Sequence, residues 1–234
     1  MQPVGIVYSD ATVVVASDDP SLFSILNSSI HGAWAWKYGS TMGSSTLRYT
    51  PSKIFDSFPF PELSDPNLRA QLERLAQQCD TLRRNLMQQL QLGMTKVYNL
   101  FHMPQLSPEM LAGESKVADL GAQSAFADLV RLRSLHAEMD NAVLAAYGWH
   151  EASREGCAII FKHDLYEADY LPEDDRLRYT ICPEARRELL GRLLALNHAR
   201  AEAEKAKAKP RTQKRGKKAM SPDDEPTQMF AEES

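Results

Sequence analysis

The sequence predicts a mainly α-helical fold with a small β component, and three observations predict it. The 234 residues are 43% hydrophobic and 25% charged, which is ordinary for a globular chain. Apolar residues recur at spacings of three and four over long stretches, the period of a helix with one buried face. Runs rich in β-branched residues are short. We therefore expect an α+β fold with long antiparallel helices, short strands near the N-terminus and around 158–181, and a disordered C-terminal tail.

The first elements are predicted as a strand and a helix. Val4–Val15 is rich in β-branched residues and predicts a strand or short hairpin, buried on at least one side. Asp19-Pro20 is a helix start, because the carboxylate caps free amide groups and proline lacks the N–H that would be unpaired there. This helix spans about 20–38, and Gly39 ends it in a left-handed conformation. His31 within it is more typical of a packing or hydrogen-bonding residue than of a base or ligand.

Two long helices follow, each with an apolar face. The first begins after Asp65-Pro66, ends at Gly93 and carries a narrow seam formed by Leu68, Leu72, Leu75, Cys79, Leu82 and Leu86. Pro104–Lys116 is predicted as a loop. The second helix spans 118–147, and Gly148 is its C-cap. Its apolar side consists of Phe126, Leu129, Val130, Leu132, Met139, Val143 and Leu144. We expect the two helices to pack antiparallel.

The C-terminal third predicts two strands, a helix and a tail. Ala158–Phe161 and Leu177–Ile181 are the strands, and Pro183-Glu184 opens the last helix. The helix has a broad apolar face of Leu189, Leu190, Leu193, Leu194 and Leu196. From about residue 203 a basic run precedes an acidic one, a charge pattern typical of disorder, although the helix can continue into the start of this tail. The basic run is Lys205, Lys207, Lys209, Arg211, Lys214, Arg215, Lys217 and Lys218.

Residues 40–61 form the candidate functional segment. Hydroxyl side chains, a lysine and an arginine lie there among aromatic residues, as in a surface loop that contacts phosphates while its aromatics anchor it. The candidate DNA contacts are Lys37, Ser44, Ser45, Thr46, Arg48 and Lys53. An ordinary packed loop is the alternative, and Arg48 and Tyr49 fit a structural role equally well, with Arg48 paired to a carboxylate.

Several classes of protein are disfavoured by what the sequence lacks. No apolar run approaches membrane-spanning length, and Met1-Gln2-Pro3 does not begin a secretory signal, so we expect a cytoplasmic protein. The three cysteines are far apart, which favours free thiols over disulfides or zinc. Glycine-rich phosphate loops and hydrolase or zinc-protease motifs are absent. We therefore expect no catalytic, cofactor-binding or metal-binding residues in this chain.

Three segments in order carry a resemblance to a known family. Ser28–Pro61 contains Ser-Ile-His-Gly-Ala-Trp, then Leu-Arg-Tyr-Thr and Phe-Pro-Phe-Pro; Met94–Trp149 contains Val-Tyr-Asn-Leu-Phe-His and Leu-His-Ala-Glu-Met-Asp; Leu177–His198 begins Leu-Arg-Tyr-Thr-Ile-Cys-Pro-Glu. Over roughly residues 4–200 the chain resembles the C-terminal portion of restriction–modification adenine methyltransferases of the type IIG/IIL class and their phage-defence relatives.

The resemblance implies a role in recognising double-stranded DNA. In that family an upstream domain binds S-adenosylmethionine and methylates a flipped adenine at a Pro-Pro motif. This chain has no Asn-Pro-Pro or Asp-Pro-Pro motif, so it looks like a catalytically silent C-terminal piece, whether from a split gene, a truncation or a misplaced start. Residues 1–63 would then be the end of the target-recognition region, 64–202 a helical module with a small β insertion, and 203–234 the tail.

A second hypothesis remains open at this point. The chain could be a helical interaction subunit that docks on a separately encoded methyltransferase, through the seam Leu68–Leu86, without touching DNA. An independent enzyme with an unrecognised site is a third and weaker alternative.

Overall fold

Helices dominate the chain in the computed structural model, which describes residues 12–42, 46–115, 119–151, 157–171 and 173–208. The helices are α1 Pro20–Asn27, α2 Ser29–Tyr38, α3 Pro51–Ile54, α4 Pro66–Leu90, α5 Met94–Phe101, α6 Pro108–Glu114, α7 Asp119–Ala146 and α8 Pro183–Ala208. The strands are β1 Ser40–Met42, β2 Thr46–Arg48, β3 His163–Glu167 and β4 Leu177–Ile181, with a 3-10 turn at Glu173–Asp175. The predicted class, mainly α with a small β component, is confirmed.

The strands form antiparallel hairpins. Strands β1 and β2 pair with Ser40 opposite Arg48, and β3 and β4 pair with His163 opposite Ile181. The strand predicted at Ala158–Phe161 is wrong, because the chain there has no regular secondary structure. Its Ile159 amide donates to the Trp149 carbonyl at 2.9 Å, which ties this segment to the end of α7 instead of to a sheet.

The helix predicted over 20–38 is two helices that meet at Ser28. Ser28 has extended backbone angles, and its Oγ accepts a hydrogen bond from the His31 amide at 3.2 Å. A serine that caps a new helix in this way competes with continuation of the old one. Gly39 follows α2 with φ −71° and ψ 169°, so the predicted left-handed conformation is wrong. Position 39 requires glycine because a Cβ there would lie 2.6 Å from the Ala35 carbonyl oxygen, too close for any other residue.

Helix α4 begins where the sequence predicts and ends earlier than predicted. The Asp65 carboxylate accepts a hydrogen bond from the Asn67 amide at 2.8 Å, as expected for an N-cap. Gln91, at φ 53°, is the left-handed residue that ends the helix, and Gly93 instead precedes α5. The predicted end at Gly93 is therefore displaced by two residues.

Helices α4 and α7 pack antiparallel, as predicted. Gln89 Nε2 donates to the Gly121 carbonyl at 3.4 Å, and Cys79 Sγ lies 3.9 Å from His136 Nε2 nearer the middle of both helices. Four seam residues are buried (Leu72, Leu75, Cys79 and Leu86), while Leu68 and Leu82 are partly buried. The seam is thus internal packing, and its predicted use as a docking surface is wrong.

Val130 of α7 also departs from prediction: it is predicted on the apolar side of this helix, but its side chain is 43% exposed.

Two other predictions fail in local structure. Residues 108–114 of the predicted loop form α6, because Ser107 Oγ accepts a hydrogen bond from the Met110 amide and Pro108 fits the first turn. The predicted N-terminal strand is absent over its described part, where Val13, Val14 and Val15 are exposed and have no regular structure. Residues 4–11 of that prediction lie outside the described residues.

The described residues up to Asn197 form one compact unit, and those from His198 to Ala208 belong to a second. In the first unit, Leu189 and Leu193 of α8 are buried whereas Leu194 is 37% exposed, so its apolar face is narrower than predicted. In the second unit, helix α8 continues to Ala208, so residues 203–208 of the predicted tail are helical. Residues 209–234 lie outside the described residues.

Candidate functional site

The β1–β2 hairpin presents its polar side chains outward. Successive residues of a strand point to opposite faces. Accordingly Thr46 and Arg48 are exposed, while Leu47 between them packs against the apolar cluster under the hairpin. Ser44 and Ser45, the other hydroxyl candidates, lie outside the described residues.

Two further cations flank the hairpin in sequence. Lys37 lies in the last turn of α2 and Lys53 in α3, and both side chains are exposed. Among the described residues, no acidic side chain forms an ion pair with Lys37, Arg48 or Lys53. The carboxylate partner considered for Arg48 is therefore not found in the part of the chain that the structure describes. Below, the cationic face means Lys37, Thr46, Arg48 and Lys53.

Aromatic residues anchor this face, as predicted. Tyr49 Oη lies 2.9 Å from His31 Nε2, and the Phe58 ring packs edge-on against His31 with centroids 4.7 Å apart. Trp34 Nε1 donates to Ser57 Oγ at 3.2 Å. Tyr49 thus has a packing partner within the fold, which favours the structural one of its two predicted roles. Burial lowers the pKa of His31 to about 4, so this histidine is a neutral packing residue.

A second polar region, which the sequence analysis does not identify, lies around Asp140. This carboxylate is 1% exposed. Its Oδ1 accepts a hydrogen bond from the Ser29 amide at 2.6 Å, and its Oδ2 lies 2.8 Å from Nε2 of His163. The aspartate thereby joins α7 to the N-terminus of α2, where the helix dipole favours a negative charge, and to the first residue of β3.

Two more histidines, both partly buried, lie beside that pair. His136 Nε2 is 3.0 Å from Tyr98 Oη, and His102 Nδ1 accepts a hydrogen bond from the Tyr179 amide at 3.1 Å. Burial lowers the pKa of His136 to about 4. Burial, with the charge of Arg178 acting in the same direction, lowers the pKa of His102 to about 3. Both imidazoles are therefore neutral at physiological pH.

These groups line a cavity of about 290 Å³ between α2, α5, α7 and the β3–β4 hairpin. We call it the histidine cavity; its lining includes Trp36, His102, His136, Asp140, His163, Tyr170, Asp175, Arg178, Tyr179 and Arg186. One sequence signal points to it: His136 and Asp140 are four residues apart on a helix, which places two ionisable groups together on one face. The partners of Asp140 are too distant in sequence for a pattern to reveal.

The described residues contain no group of three or more histidine, cysteine or acidic side chains placed to hold a metal ion. Cys79 is buried, Cys182 is partly buried and Cys157 is exposed, and all three are free thiols. Within the same part of the chain, every helix is too short or too polar to cross a bilayer.

Comparison of the chain with protein-family models, with curated proteins and with solved structures gives no match.

Proposed function

We propose that this chain is the DNA-recognition and scaffold portion of an adenine-specific DNA methyltransferase of a restriction–modification or phage-defence system. The observation that carries the proposal is the cationic face: Arg48 and Lys53 are exposed, unpaired with acids among the described residues, and held on a hairpin and short helix that aromatic side chains anchor. The ordered resemblance of Ser28–Pro61, Met94–Trp149 and Leu177–His198 to that family supports the same role.

The face suits contact with a phosphate backbone. Arginine and lysine neutralise phosphates, and the Thr46 hydroxyl can donate to a phosphate oxygen. Such contacts hold a protein at a defined position on duplex DNA without reading its sequence. The hairpin that carries Arg48 lies close to α2 at Gly39, and its Leu47 side chain packs against the apolar cluster. These contacts hold the backbone from which the cationic side chain projects.

Methyl transfer would be performed by a catalytic domain outside these residues, encoded upstream or separately. The sheets of the described residues are antiparallel hairpins, and they contain no parallel strand–loop–helix unit of the kind that binds nucleotide cofactors. We assign S-adenosylmethionine to that catalytic domain. We place the protein in the cytoplasm, where its DNA substrate would be.

The test is DNA binding by the full chain across a salt series, measured by fluorescence anisotropy with a duplex. If both cations contact phosphates, Arg48→Ala/Lys53→Ala should reduce the log–log salt slope by about 1.8, at about 0.9 per phosphate. The matched control is Arg74→Ala/Lys96→Ala, which removes the same charges from exposed positions on α4 and α5. An equal loss in both variants, or none in the hairpin variant, contradicts the proposed contact.

A further inference from the structure

The histidine cavity is separate from the cationic face. Helix α2 lies between the cavity and the β1–β2 hairpin: Gly32, Ala33 and Trp36 line the cavity, whereas His31 and Trp34 contact the residues that anchor the hairpin. The cavity volume of about 290 Å³ is close to the lower end of the range for small-molecule sites, about 300 Å³. A ligand there would be small, and the site would operate independently of the proposed phosphate contacts.

The charges that line the cavity are balanced. Asp175 Oδ1 pairs with Arg178 at 2.7 Å, and Asp140 is hydrogen-bonded to His163. The remaining cation, Arg186, lies 3.7 Å above the centre of the Tyr170 ring. The two aspartates and two arginines of the lining therefore cancel. The lining as a whole carries no net formal charge, and burying a charged ligand there would cost more free energy than burying an uncharged one.

Two ring nitrogens of the cavity remain for a ligand. In the tautomer that donates Nε2–H to Asp140, the Nδ1 atom of His163 is an acceptor. Because Nδ1 of His102 accepts from the Tyr179 amide, its Nε2 carries the proton and is a donor. Neither atom has a protein partner among the described residues. The lining thus offers an acceptor and a donor in one cavity.

Flat apolar surface accompanies these polar edges. The rings of Trp36 and Tyr170 lie 6.0 Å apart at an interplanar angle of 52°, and both contribute to the wall. Aromatic faces favour a planar, π-rich ligand by stacking or edge contact. Arg186, whose buried Nε lacks a partner, adds one more donor at the Tyr170 side.

We propose that the histidine cavity binds an uncharged, planar heterocycle of nucleobase size. Such a ring combines the hydrogen-bond donor and acceptor that His163 and His102 complement with the flat face that Trp36 and Tyr170 accept. The same chemistry is presented by a free nucleoside and by a base turned out of a nucleic-acid strand, and the experiment separates these two sources.

The experiment titrates the full chain with adenosine, with cytidine and with a single-stranded tetradeoxynucleotide, and uses benzoate as a planar anionic control. Nuclear magnetic resonance follows the histidine ring nitrogens and the tryptophan indole N–H groups. We expect at least one nucleoside or the oligonucleotide to shift His102, His163 and Trp36 together and saturably, at concentrations below about 10 mM for a ligand of this size. Saturation by nucleosides assigns a free ligand, and saturation by the oligonucleotide alone assigns a base in a strand.

The variants make the assignment specific. Trp36→Leu should weaken binding about tenfold, because it removes one flat wall. The matched control Trp149→Leu removes an indole that contacts Tyr147 instead of the cavity, and should bind like the wild type. If Trp36→Leu does not fold, Trp36→Phe replaces it, with an expected loss of about threefold. Arg48→Ala/Lys53→Ala should retain nucleoside binding, which separates this proposal from the DNA contact.

Three results would overturn the proposal. The first is the absence of saturable shifts at the cavity with all three nucleic-acid probes. The second is equal weakening by Trp36→Leu and Trp149→Leu. The third is binding of benzoate as tightly as the best nucleoside, which would contradict a site for uncharged ligands.

Discussion

The cationic face and the histidine cavity both concentrate polar side chains, but they arrange them in opposite ways. On the face, Arg48 and Lys53 point outward and pair with no acid among the described residues. In the cavity, Asp140 and His163 are buried and bonded to each other. Removing an exposed group leaves water in its place, whereas removing a buried one leaves a partner unpaired. Substitutions on the cationic face should therefore affect mainly binding, whereas substitutions in the histidine cavity should affect mainly the stability of the fold.

The largest expected effect is the loss of the buried carboxylate. Asp140→Ala leaves the Ser29 amide and the His163 ring without their acceptor, and should lower the free energy of unfolding by about 3–5 kcal/mol. The control is Asn141→Ala, the next residue, whose exposed side chain bonds only to its own helix and should cost less than about 1 kcal/mol. Urea denaturation of both variants measures the difference; similar losses would mean that the cavity is not a structural centre.

Acidification should produce an effect of similar total size, spread over three histidines. Burial lowers the pKa of His31 and His136 to about 4 and of His102 to about 3, below the ordinary value of 6.5. In the unfolded chain these rings bind protons below pH 6.5, whereas in the folded chain they stay neutral until about pH 4 or lower. The contribution of these neutral rings to the free energy of unfolding is therefore fully present above pH 6.5. It declines as the pH falls towards 4, by about 1–2 kcal/mol per histidine at pH 5.

Urea denaturation at pH 7 and pH 5 checks this dependence. His102→Asn retains an acceptor for the Tyr179 amide and should reduce the decline, whereas His150→Gln, an exposed position, should leave it unchanged. A decline that His102→Asn does not alter would show that this ring is protonated in the folded protein. The pKa values of Asp19 and Asp80 are also lowered, and these carboxylates affect stability only at lower pH. They therefore do not contribute to the difference between pH 7 and pH 5.

The smallest expected effect on stability belongs to the cationic face. Arg48→Ala/Lys53→Ala removes no ion pair with a described residue and should change the free energy of unfolding by less than about 0.5 kcal/mol. Thermal or urea denaturation measures this, on the same variant that tests DNA binding. A loss near that of Asp140→Ala would contradict the comparison, because the face would then be part of the folding core.

The sequence predicts long helices well and local interruptions poorly. Asp65-Pro66 and the repeat of leucines predict α4 because they report capping and burial along one continuous helix. Ser28 separates α1 from α2 through a hydrogen bond within a single turn. The three- and four-residue spacing of apolar residues does not reveal such a local interruption. Residues 108–114 are predicted as part of a loop but form α6, which at seven residues is too short for an apolar period to reveal. Ile159 has strand propensity, but its amide donates to the Trp149 carbonyl instead of to a neighbouring strand.

The candidate sites differ in predictability for the same reason. The cationic face is local, since Lys37 to Lys53 are neighbours in the chain and their composition shows a polar surface over an aromatic base. The histidine cavity depends on contacts such as Ser29 with Asp140, 111 residues apart, and these exist only once α2, α7 and β3 are packed. The six histidines look scattered in sequence, although packing brings three of them to one cavity.

The tight contact at Gly39 has a consequence for how this surface can diversify. A Cβ there would lie 2.6 Å from the Ala35 oxygen and 2.6 Å from Leu47 Cδ1, so only glycine fits where the hairpin leaves α2. Gly39 and Leu47 together set the position of the hairpin, while Thr46 and Arg48 alternate with Leu47 and face outward. A library that randomises Thr46 and Arg48 and keeps Gly39 and Leu47 would therefore explore new binding specificities on an unchanged frame.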